Sequence, residues 1–394
     1  MNTDTNRCKN KDIGWVTVAL VLIAASVANT ADAEEARDMK SKVKREGGKV
    51  WIEGVPELHW GKGAECTYAG AVAAALAVTE HPVPYEDIVG FSGLAFRLRW
   101  WLSSTEPGRR GWCPSTPVGE FPEEVAATQE RTGWRFLVDS RMDRESNPHM
   151  EDRAKDIAAS IDAGKPVPAY VSPQNLNVGV IYGYQDDAKK WLMRDYFAKD
   201  GTTLVPVEKL GPMIFIPGEF KPALPRRQAV LESLKMAVKH WGRGRGPETD
   251  GKYLYGKAAL EQWSKDLSLP DDPAANLNAQ EKGALFFATW WVFSQWHDAR
   301  QAAVKFFGKA AEELGGGAGE ALKKAKQQYE EEVKLLTSGG EGRDAFLGPW
   351  NAGKVENWTP ALRKREQDIL AEAARREAAA VAEIEMAVGL SAAK

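Results

Sequence analysis

The second half of the chain carries apolar residues at the spacing of an amphipathic helix. The first such stripe comprises Leu285, Ala288, Val292, Trp296, Ala299, Ala303, Phe306, Ala310 and Leu314. The same period returns over residues 322 to 336, after the sequence GGGAG at 315 to 319. Steps of three and four residues place the apolar side chains on one face of a helix. The pattern predicts an all-α helical domain over residues 226 to 338.

A further helix is predicted near the C-terminal end. Thr359 is typical of a helix N-cap, and Pro360 is typical of the first helical position, where a missing backbone N–H costs nothing. The residues that follow form a stripe of Leu362, Ile369, Ala373, Ile384 and Val388. We expect a C-terminal amphipathic helix over residues 359 to 390.

Shorter apolar runs characterise residues 48 to 218. The run AVAAALAV at 71 to 78 is unbroken and is typical of a buried helix. Five other runs are rich in Val, Ile, Tyr and Trp and are typical of strands: WRFLVD (134 to 139), VPAYVS (167 to 172), VGVIYGY (178 to 184), KWLMRDY (190 to 196) and MIFIP (213 to 217). We expect an α+β domain with an antiparallel sheet, which ends at the Pro-rich stretch 216 to 227.

The first 33 residues have the pattern of a secretory signal peptide. Arg7, Lys9 and Lys11 precede an apolar stretch at 13 to 28, and the sequence ADA at 31 to 33 supplies the small residues of a cleavage site. The apolar stretch is short for a membrane-spanning helix, and an uncleaved anchor is the alternative. We expect an exported protein, periplasmic or extracellular, with no membrane association after cleavage.

The charge and the motifs of the chain indicate which classes of partner and cofactor to expect. The chain has 52 Lys and Arg, 55 Asp and Glu and a formal net charge of −3, which indicates neither nucleic acid nor an anionic membrane surface as a partner. The sequence contains no zinc-protease, phosphate-loop, calcium-loop or C-x-x-C motif, so it indicates no metal and no cofactor. The 15 tryptophans have two interpretations, large hydrophobic cores or an aromatic-lined groove.

Cys66 lies at the predicted N-terminus of the buried helix. The partial positive charge of a helix N-terminus lowers the pKa of a thiol, and the free backbone N–H groups there stabilise an oxyanion. A catalytic nucleophile is therefore one interpretation of Cys66. The second is a disulfide with Cys113, the other cysteine of the exported chain, and the third is inert packing. The residues alone leave all three open.

The segments together resemble a papain-like fold. The runs ECTYAGAVAAALAV, GKPVPAYV, NVGVIYGY and RDYF are similar to segments of the bacteriocin-leader-processing cysteine peptidases. They are still more similar to the N-terminal domain of the butirosin biosynthesis protein H family. The resemblance covers residues 55 to 215. It implies a papain-like domain over 48 to 218, with a buried central helix and an antiparallel sheet, followed by a helical domain.

The resemblance also implies roles for individual residues. Cys66 matches the nucleophile of the peptidases, and Glu65 matches the acid that precedes it. Asn177 occupies the position of the catalytic histidine, and Asp195 that of the orienting Asp or Asn. Trp60 replaces the glutamine that donates to the oxyanion. Because an asparagine amide does not accept a thiol proton near neutral pH, the resemblance implies a degenerate site.

Two functions follow from these residues. The first is thiol-dependent amide hydrolysis or acyl transfer to an amine, in which Cys66 attacks a carbonyl and Asp195 helps to orient a base, with His59 as the histidine nearest to Cys66 in sequence. The second is a non-catalytic extracytoplasmic protein that binds a peptide or a small amine-containing ligand. We expect its groove to be lined by Trp60, Trp100, Trp101 and Trp112. The missing histidine and glutamine favour binding.

Export predicts a defined N-terminus for the mature protein. Because ADA ends at residue 33, N-terminal sequencing of the exported chain should begin at Glu34. A mature protein that retains the sequence VTVALVLIAA would instead indicate an N-terminal membrane anchor.

Overall fold

The structure is a computed structural model that describes residues 42–105, 122–140, 150–170, 177–209, 213–222, 224–246, 252–338, 345–348 and 354–392. The predicted signal peptide at residues 1 to 33 lies outside the described residues, as do Cys113, Trp112 and His149. The signal peptide and the disulfide between Cys66 and Cys113 therefore stay predictions.

An eight-stranded antiparallel sheet occupies the first part of the described chain. Its strands are β1 (Val43–Glu46), β2 (Lys49–Ile52), β4 (Trp134–Ser140), β5 (Val167–Tyr170), β6 (Val178–Gln185), β7 (Lys190–Arg194), β8 (Thr203–Pro206) and β9 (Met213–Phe220). A separate pair joins β3 (Arg99–Trp101) to β10 (Tyr253–Tyr255). All five predicted runs form strands, and the antiparallel sheet is confirmed.

Strand β6 is the centre of the large sheet. It pairs with β5 over residues 178 to 181 and with β2 over residues 183 to 185. Since β7 pairs with parts of both segments, β5 and β2 share one edge of β6, and β7 occupies the other edge. This arrangement curls the sheet, and α1 (Thr67–Leu76) packs against β6 and β5. Nine of the ten residues of α1 are buried, which confirms the predicted buried helix.

The other helices in the described residues fall into a short group and a long group. The short ones are α2 (Tyr85–Ser92), α3 (Pro122–Thr132), α4 (Met150–Asp162), α5 (Arg226–Gly242) and α6 (Gly256–Asp266). The long ones are α7 (Ala279–Leu314), α8 (Gly316–Leu336) and α9 (Pro360–Ala392). The long helices coincide with the predicted apolar stripes. The protein is therefore α+β, with a helical C-terminal region. Within the described chain, no helix is both long enough and apolar enough to cross a membrane.

Two hydrophobic clusters cross the predicted domain boundary. The larger one joins α1 and the sheet to α7, where the ring of Phe306 meets that of Phe91 edge-on at 5.4 Å. The smaller one joins β3 to α6, α7 and α9 around Trp100 and Trp263, whose rings stack at 4.9 Å. The division into units at 48 to 218, 226 to 338 and 359 to 390 stays a prediction. If these units are domains, the interface between them is apolar.

Arg300 fixes the position of α7. Its guanidinium is fully buried, with Nε donating to Glu377 Oε1 on α9 at 2.6 Å and one terminal nitrogen donating to the carbonyl of Ala95 at 2.6 Å. Tyr329 on α8 donates to the other oxygen of Glu377 at 3.1 Å. This network connects the three long helices to the segment after α2. It therefore anchors α7 near Asp298, two residues before Arg300.

His240 is buried on α5 beside the ion pair of Arg97 and Glu124. It is 1% exposed, and neither ring nitrogen has a hydrogen-bond partner among the described residues. Nε2 lies 4.0 Å from Glu124 Oε1. Burial, together with the guanidinium groups of Arg97 and Arg243, lowers the pKa of His240 to about 3. The imidazole is neutral in the folded protein above that pH.

We expect His240 to make the protein sensitive to acid. Below pH 6.5 the imidazole takes up a proton in the unfolded chain but not in the folded chain, so stability is lost as the pH falls toward 3. The loss is about 1.4 kcal/mol for each pH unit below the unfolded pKa. In His240→Phe, the free energy of unfolding should fall less steeply between pH 6.5 and 4.5 in urea titrations. Parallel pH profiles for the two proteins would contradict this account.

Candidate functional site

The backbone at the N-terminus of α1 is bonded by side chains from α2 and α7. Cys66 is the N-cap residue and is 6% exposed, and its N–H donates to Tyr85 Oη at 3.2 Å. The N–H of Ala64 donates to Asp298 Oδ1 at 3.0 Å. Tyr85 Oη in turn donates to Asp298 Oδ2. A carboxylate from α7 therefore faces the backbone that a peptidase would use to stabilise an oxyanion.

Burial controls the protonation of these groups. It raises the pKa of the Asp298 carboxyl, although hydrogen bonds from Tyr85 and from the backbone of residues 64 to 66 oppose the shift. Burial also raises the pKa of Tyr85 and of Tyr196 well above the ordinary value. Both phenols therefore stay protonated and act as hydrogen-bond donors at neutral pH.

The loop before Cys66 holds an unusual backbone conformation. Gly61, Gly63 and Ala64 all have left-handed φ angles, of 72°, 78° and 76°. Such an angle is unfavourable for alanine. Both backbone groups of Ala64 are bonded, because Asp298 accepts from its N–H and Tyr196 Oη donates to its carbonyl at 2.6 Å. These two hydrogen bonds offset the strain and hold the loop against α7.

Little space remains at the thiol. A void of about 20 Å³ adjoins Cys66, with Tyr85, Arg97, Gln295 and Trp296 among its lining residues. A volume of this size holds about one water molecule. This void, as the described residues enclose it, is too small for a peptide or an acyl group.

Asn177 lies at the junction of β6 and α1. It is 7% exposed, and the N–H of the next residue, Val178, donates to Thr67 Oγ1 at 3.2 Å. Cys66 is the residue before Thr67, and Asn177 is the residue before Val178. Because Thr67 and Val178 are hydrogen-bonded, the fold brings both predicted site residues to one junction. Their catalytic role stays a prediction.

Asp195 stabilises the turn after β7. Its Oδ1 accepts from the N–H of Phe197 at 3.0 Å, and its Oδ2 accepts from Thr203 Oγ1 at 3.3 Å. Asp195 directly follows Arg194, the last residue of β7, which pairs with Val180. Its carboxylate is bonded to local groups, and its catalytic role stays a prediction.

The described histidines each contact another side chain of the fold. Their partners are Glu57 for His59 (3.0 Å), the ring of Phe220 for His81 (3.7 Å), Glu124 for His240 (4.0 Å) and Gln301 for His297 (3.0 Å). His59 is bonded to Glu57 on an exposed surface. Its role as a substitute base for Cys66 stays a prediction.

A larger cavity, of about 460 Å³, lies between the loop before Cys66 and α7. We call it the aromatic cavity, because its wall includes Trp60, Phe197, Trp290 and Trp291. Its charged or titratable residues are Glu65, His297 and Asp298. Gln295 lines both this cavity and the void at Cys66, so the two spaces adjoin.

Trp60 forms the corner of the aromatic cavity. Its ring centroid lies 6.5 Å from that of Trp291 and 5.9 Å from that of Phe197, with interplanar angles of 63° and 64°. Behind it, the ring of Tyr196 packs at 4.6 Å. Phe197 is 53% exposed and lies at the mouth. Phe197 is therefore the most exposed aromatic side chain of this wall.

The predicted aromatic groove needs a correction. Trp60 lines the aromatic cavity, but Trp100 and Trp101 are only 1% and 5% exposed and belong to the hydrophobic clusters. Sequence reasoning missed Trp290 and Trp291. Both lie off the apolar stripe of α7 defined by Ala288, Val292 and Trp296, which is the signal that could have found them. Trp290 also packs against the smaller hydrophobic cluster.

Comparison with known proteins gives no family assignment. No protein-family model matches the chain, and a search of the curated proteins finds no significant match. Among the described residues, no group of three or more His, Cys, Asp or Glu side chains is arranged to hold a metal ion.

Gly70 makes the approach of Tyr196 to the loop possible. A Cβ at residue 70 would lie 2.1 Å from Tyr196 Oη and 3.2 Å from the carbonyl of Ala64. Gly70→Ala should therefore displace Tyr196 and lower the free energy of unfolding by about 1–3 kcal/mol. Chemical denaturation measures the loss, and the tryptophan emission should change because Trp60 packs on Tyr196.

Gly283→Ala is the matched control for this substitution. Residue 283 is also helical, in α7, and a Cβ there meets no atom within 4 Å. Alanine at this position should stabilise the helix by about 0.5–1 kcal/mol. Equal effects of the two substitutions would show that the contact with Tyr196 is unimportant.

Proposed function

We propose that the chain is an exported ligand-binding protein with a papain-like fold, in which the aromatic cavity binds the ligand and Cys66 does not act as a nucleophile. The papain-like assignment is supported by a buried helix with a cysteine at its N-terminus, packed against an antiparallel sheet whose strand β6 begins at the same junction.

One observation carries the proposal. The carboxylate of Asp298 engages the backbone before Cys66, and the void at the thiol measures about 20 Å³, whereas the adjoining aromatic cavity measures about 460 Å³. A pocket of the second size, with aromatic walls and a few polar groups, is typical of small-molecule binding. The space available therefore favours binding at the cavity over chemistry at the thiol.

Thiol-dependent amide hydrolysis or acyl transfer is the alternative function. It is supported by the position of Cys66 at the N-cap of α1 and by Asn177 at the same junction. For this reaction, the Asp298 carboxylate would have to leave the backbone of residues 64 to 66 before an oxyanion formed there. Asn177 would supply a hydrogen bond but no base.

A fragment screen with point variants separates the two functions. Ligand-observed NMR with neutral, anionic and cationic fragments should reveal molecules that bind wild type and Cys66→Ala with equal affinity. Trp60→Ala should weaken the same fragments by about tenfold or more, because it removes the corner of the cavity. Trp51→Ala is the matched control, because Trp51 is also half-buried but lies on β2, away from the cavity wall.

Two results would contradict the binding proposal. Turnover of peptide anilides or thioesters by the reduced wild type, abolished in Cys66→Ala, would overturn the binding proposal and support the alternative. Binding that is indifferent to Trp60→Ala would move the ligand site away from the aromatic cavity.

A further inference from the structure

Another cavity, of about 450 Å³, lies between α2, the C-terminal end of α3 and the segment that joins β9 to α5. We call it the arginine cavity, because Arg131 and Arg226 both line it. Its other charged or titratable residues are Glu80, His81 and Asp87. None of these five residues lines the aromatic cavity. The arginine cavity is therefore a separate space with its own chemistry.

Arg131 has only neutral hydrogen-bond partners. Its Nη1 donates to the carbonyl of Phe91 at 2.7 Å and to Ser233 Oγ at 3.3 Å. The same nitrogen lies 3.8 Å from Met236 Sδ. Its Nε is buried and has no partner among the described residues. These contacts hold the guanidinium in the wall of the cavity without offsetting its charge.

The charge of Arg131 has no ion-pair partner in the part of the chain that the structure describes. The residue is half-buried, and burial lowers the pKa of Arg131, although the more distant carboxylates of Glu130 and Glu232 oppose the shift. Glu232 is itself paired with Lys235 at 2.7 Å. A partly desolvated charge without a counter-ion is unfavourable, and an anion bound beside it offsets that cost.

The two carboxylates of the wall differ in their partners. Asp87 is compensated, because its Oδ2 accepts from Arg226 at 3.1 Å and its Oδ1 accepts from Lys309 at 3.2 Å. Glu80 makes no ion pair among the described residues, and its Oε1 is buried without a hydrogen-bond partner. A buried carboxylate can lose its charge by taking up a proton, whereas a guanidinium keeps its charge. Arg131 is therefore the group whose charge only a ligand can offset.

Much of the remaining wall is apolar. It includes Val83, Phe91, Phe220, Pro222 and Leu224. The ring of Phe220 stacks on that of His81 at 3.7 Å, and the carbonyl of His81 accepts from Trp134 Nε1 at 2.9 Å. These contacts fix the wall before a ligand arrives. A pre-formed cavity of this size, with apolar walls and a few polar groups, is typical of small-molecule binding.

We propose that the arginine cavity binds a small organic carboxylate with an apolar body. The carboxylate pairs with the guanidinium of Arg131, Arg226 adds a second attraction, and the body lies against Phe220 and Leu224. A single negative charge matches the single uncompensated guanidinium, and Glu80 repels a second one. This site is additional to the aromatic cavity, so the inference does not depend on the proposed function.

Four probes isolate the two requirements. 3-Phenylpropanoate carries the carboxylate and the apolar body, 3-phenylpropanamide lacks the charge, 3-phenylpropylamine reverses the charge, and acetate lacks the body. Titration calorimetry of the purified full chain at pH 7 should rank 3-phenylpropanoate first. We expect it to bind about tenfold or more tightly than each of the other three probes, because a charge-assisted hydrogen bond and the burial of a phenyl group are both favourable.

Variants connect the affinity to the residues of the wall. Arg131→Gln removes the charge and supplies an amide donor for the carbonyl of Phe91, and it should weaken 3-phenylpropanoate by about tenfold. Glu80→Gln keeps the shape of the side chain and should tighten the same probe by about threefold, because it removes a like charge. Arg135→Gln is the matched control, because Arg135 is exposed on β4 outside the cavity wall. It should leave the affinity unchanged.

Three outcomes would overturn the inference. The first is an amide or an amine that binds as tightly as 3-phenylpropanoate. The second is an unchanged affinity for 3-phenylpropanoate in Arg131→Gln, with folding confirmed by circular dichroism, or in Glu80→Gln if Arg131→Gln does not fold. The third is an affinity lost in Trp60→Ala, which would place the probe in the aromatic cavity. The fragment screen decides the proposed function separately.

Discussion

The contact of Asp298 with the backbone before Cys66 is the interaction on which the rest of the site depends. It joins residues 234 positions apart and brings α7 against the loop that begins α1. Through Tyr85, the same carboxylate also fixes the N–H of Cys66. The contact closes the space at the thiol and builds one wall of the aromatic cavity. A single buried carboxylate thus borders both the loop before Cys66 and the aromatic cavity.

The supports of this contact are distributed over the whole fold. Arg300, two residues beyond Asp298, anchors α7 to α9 and to the segment after α2. On the other side, Tyr196 reaches the loop because residue 70 has no side chain. The left-handed conformation of Ala64 is maintained from both directions. The candidate site therefore combines residues of the sheet-bearing part and of the helical part, and neither part contains all of it.

The sequence predicts the elements of this fold better than it predicts their contacts. The helices α7, α8 and α9 follow apolar stripes that repeat over several turns, and β6 is a continuous apolar run. Both patterns can be recognised in the sequence. The helices α2 to α4 are short, and no stripe of several turns marks them. Pairing of β3 with β10 joins residues about 150 positions apart, which no local pattern encodes. The contact of Asp298 with the loop before Cys66 could not be predicted for the same reason. In the sequence QWHD, Asp298 is one polar residue on an amphipathic helix, and only tertiary packing brings it to Cys66.

The hydrophobic cluster shared by α1, the sheet and α7 has a consequence for the order of folding. Phe306 covers α2 at Gly90, where a Cβ would lie 2.3 Å from its ring, so the first part of the chain is complete only after α7 has been synthesised. Contacts of such long sequence separation form late, because loop closure must precede them. Until then, the apolar face of α2 stays open to water or to a chaperone.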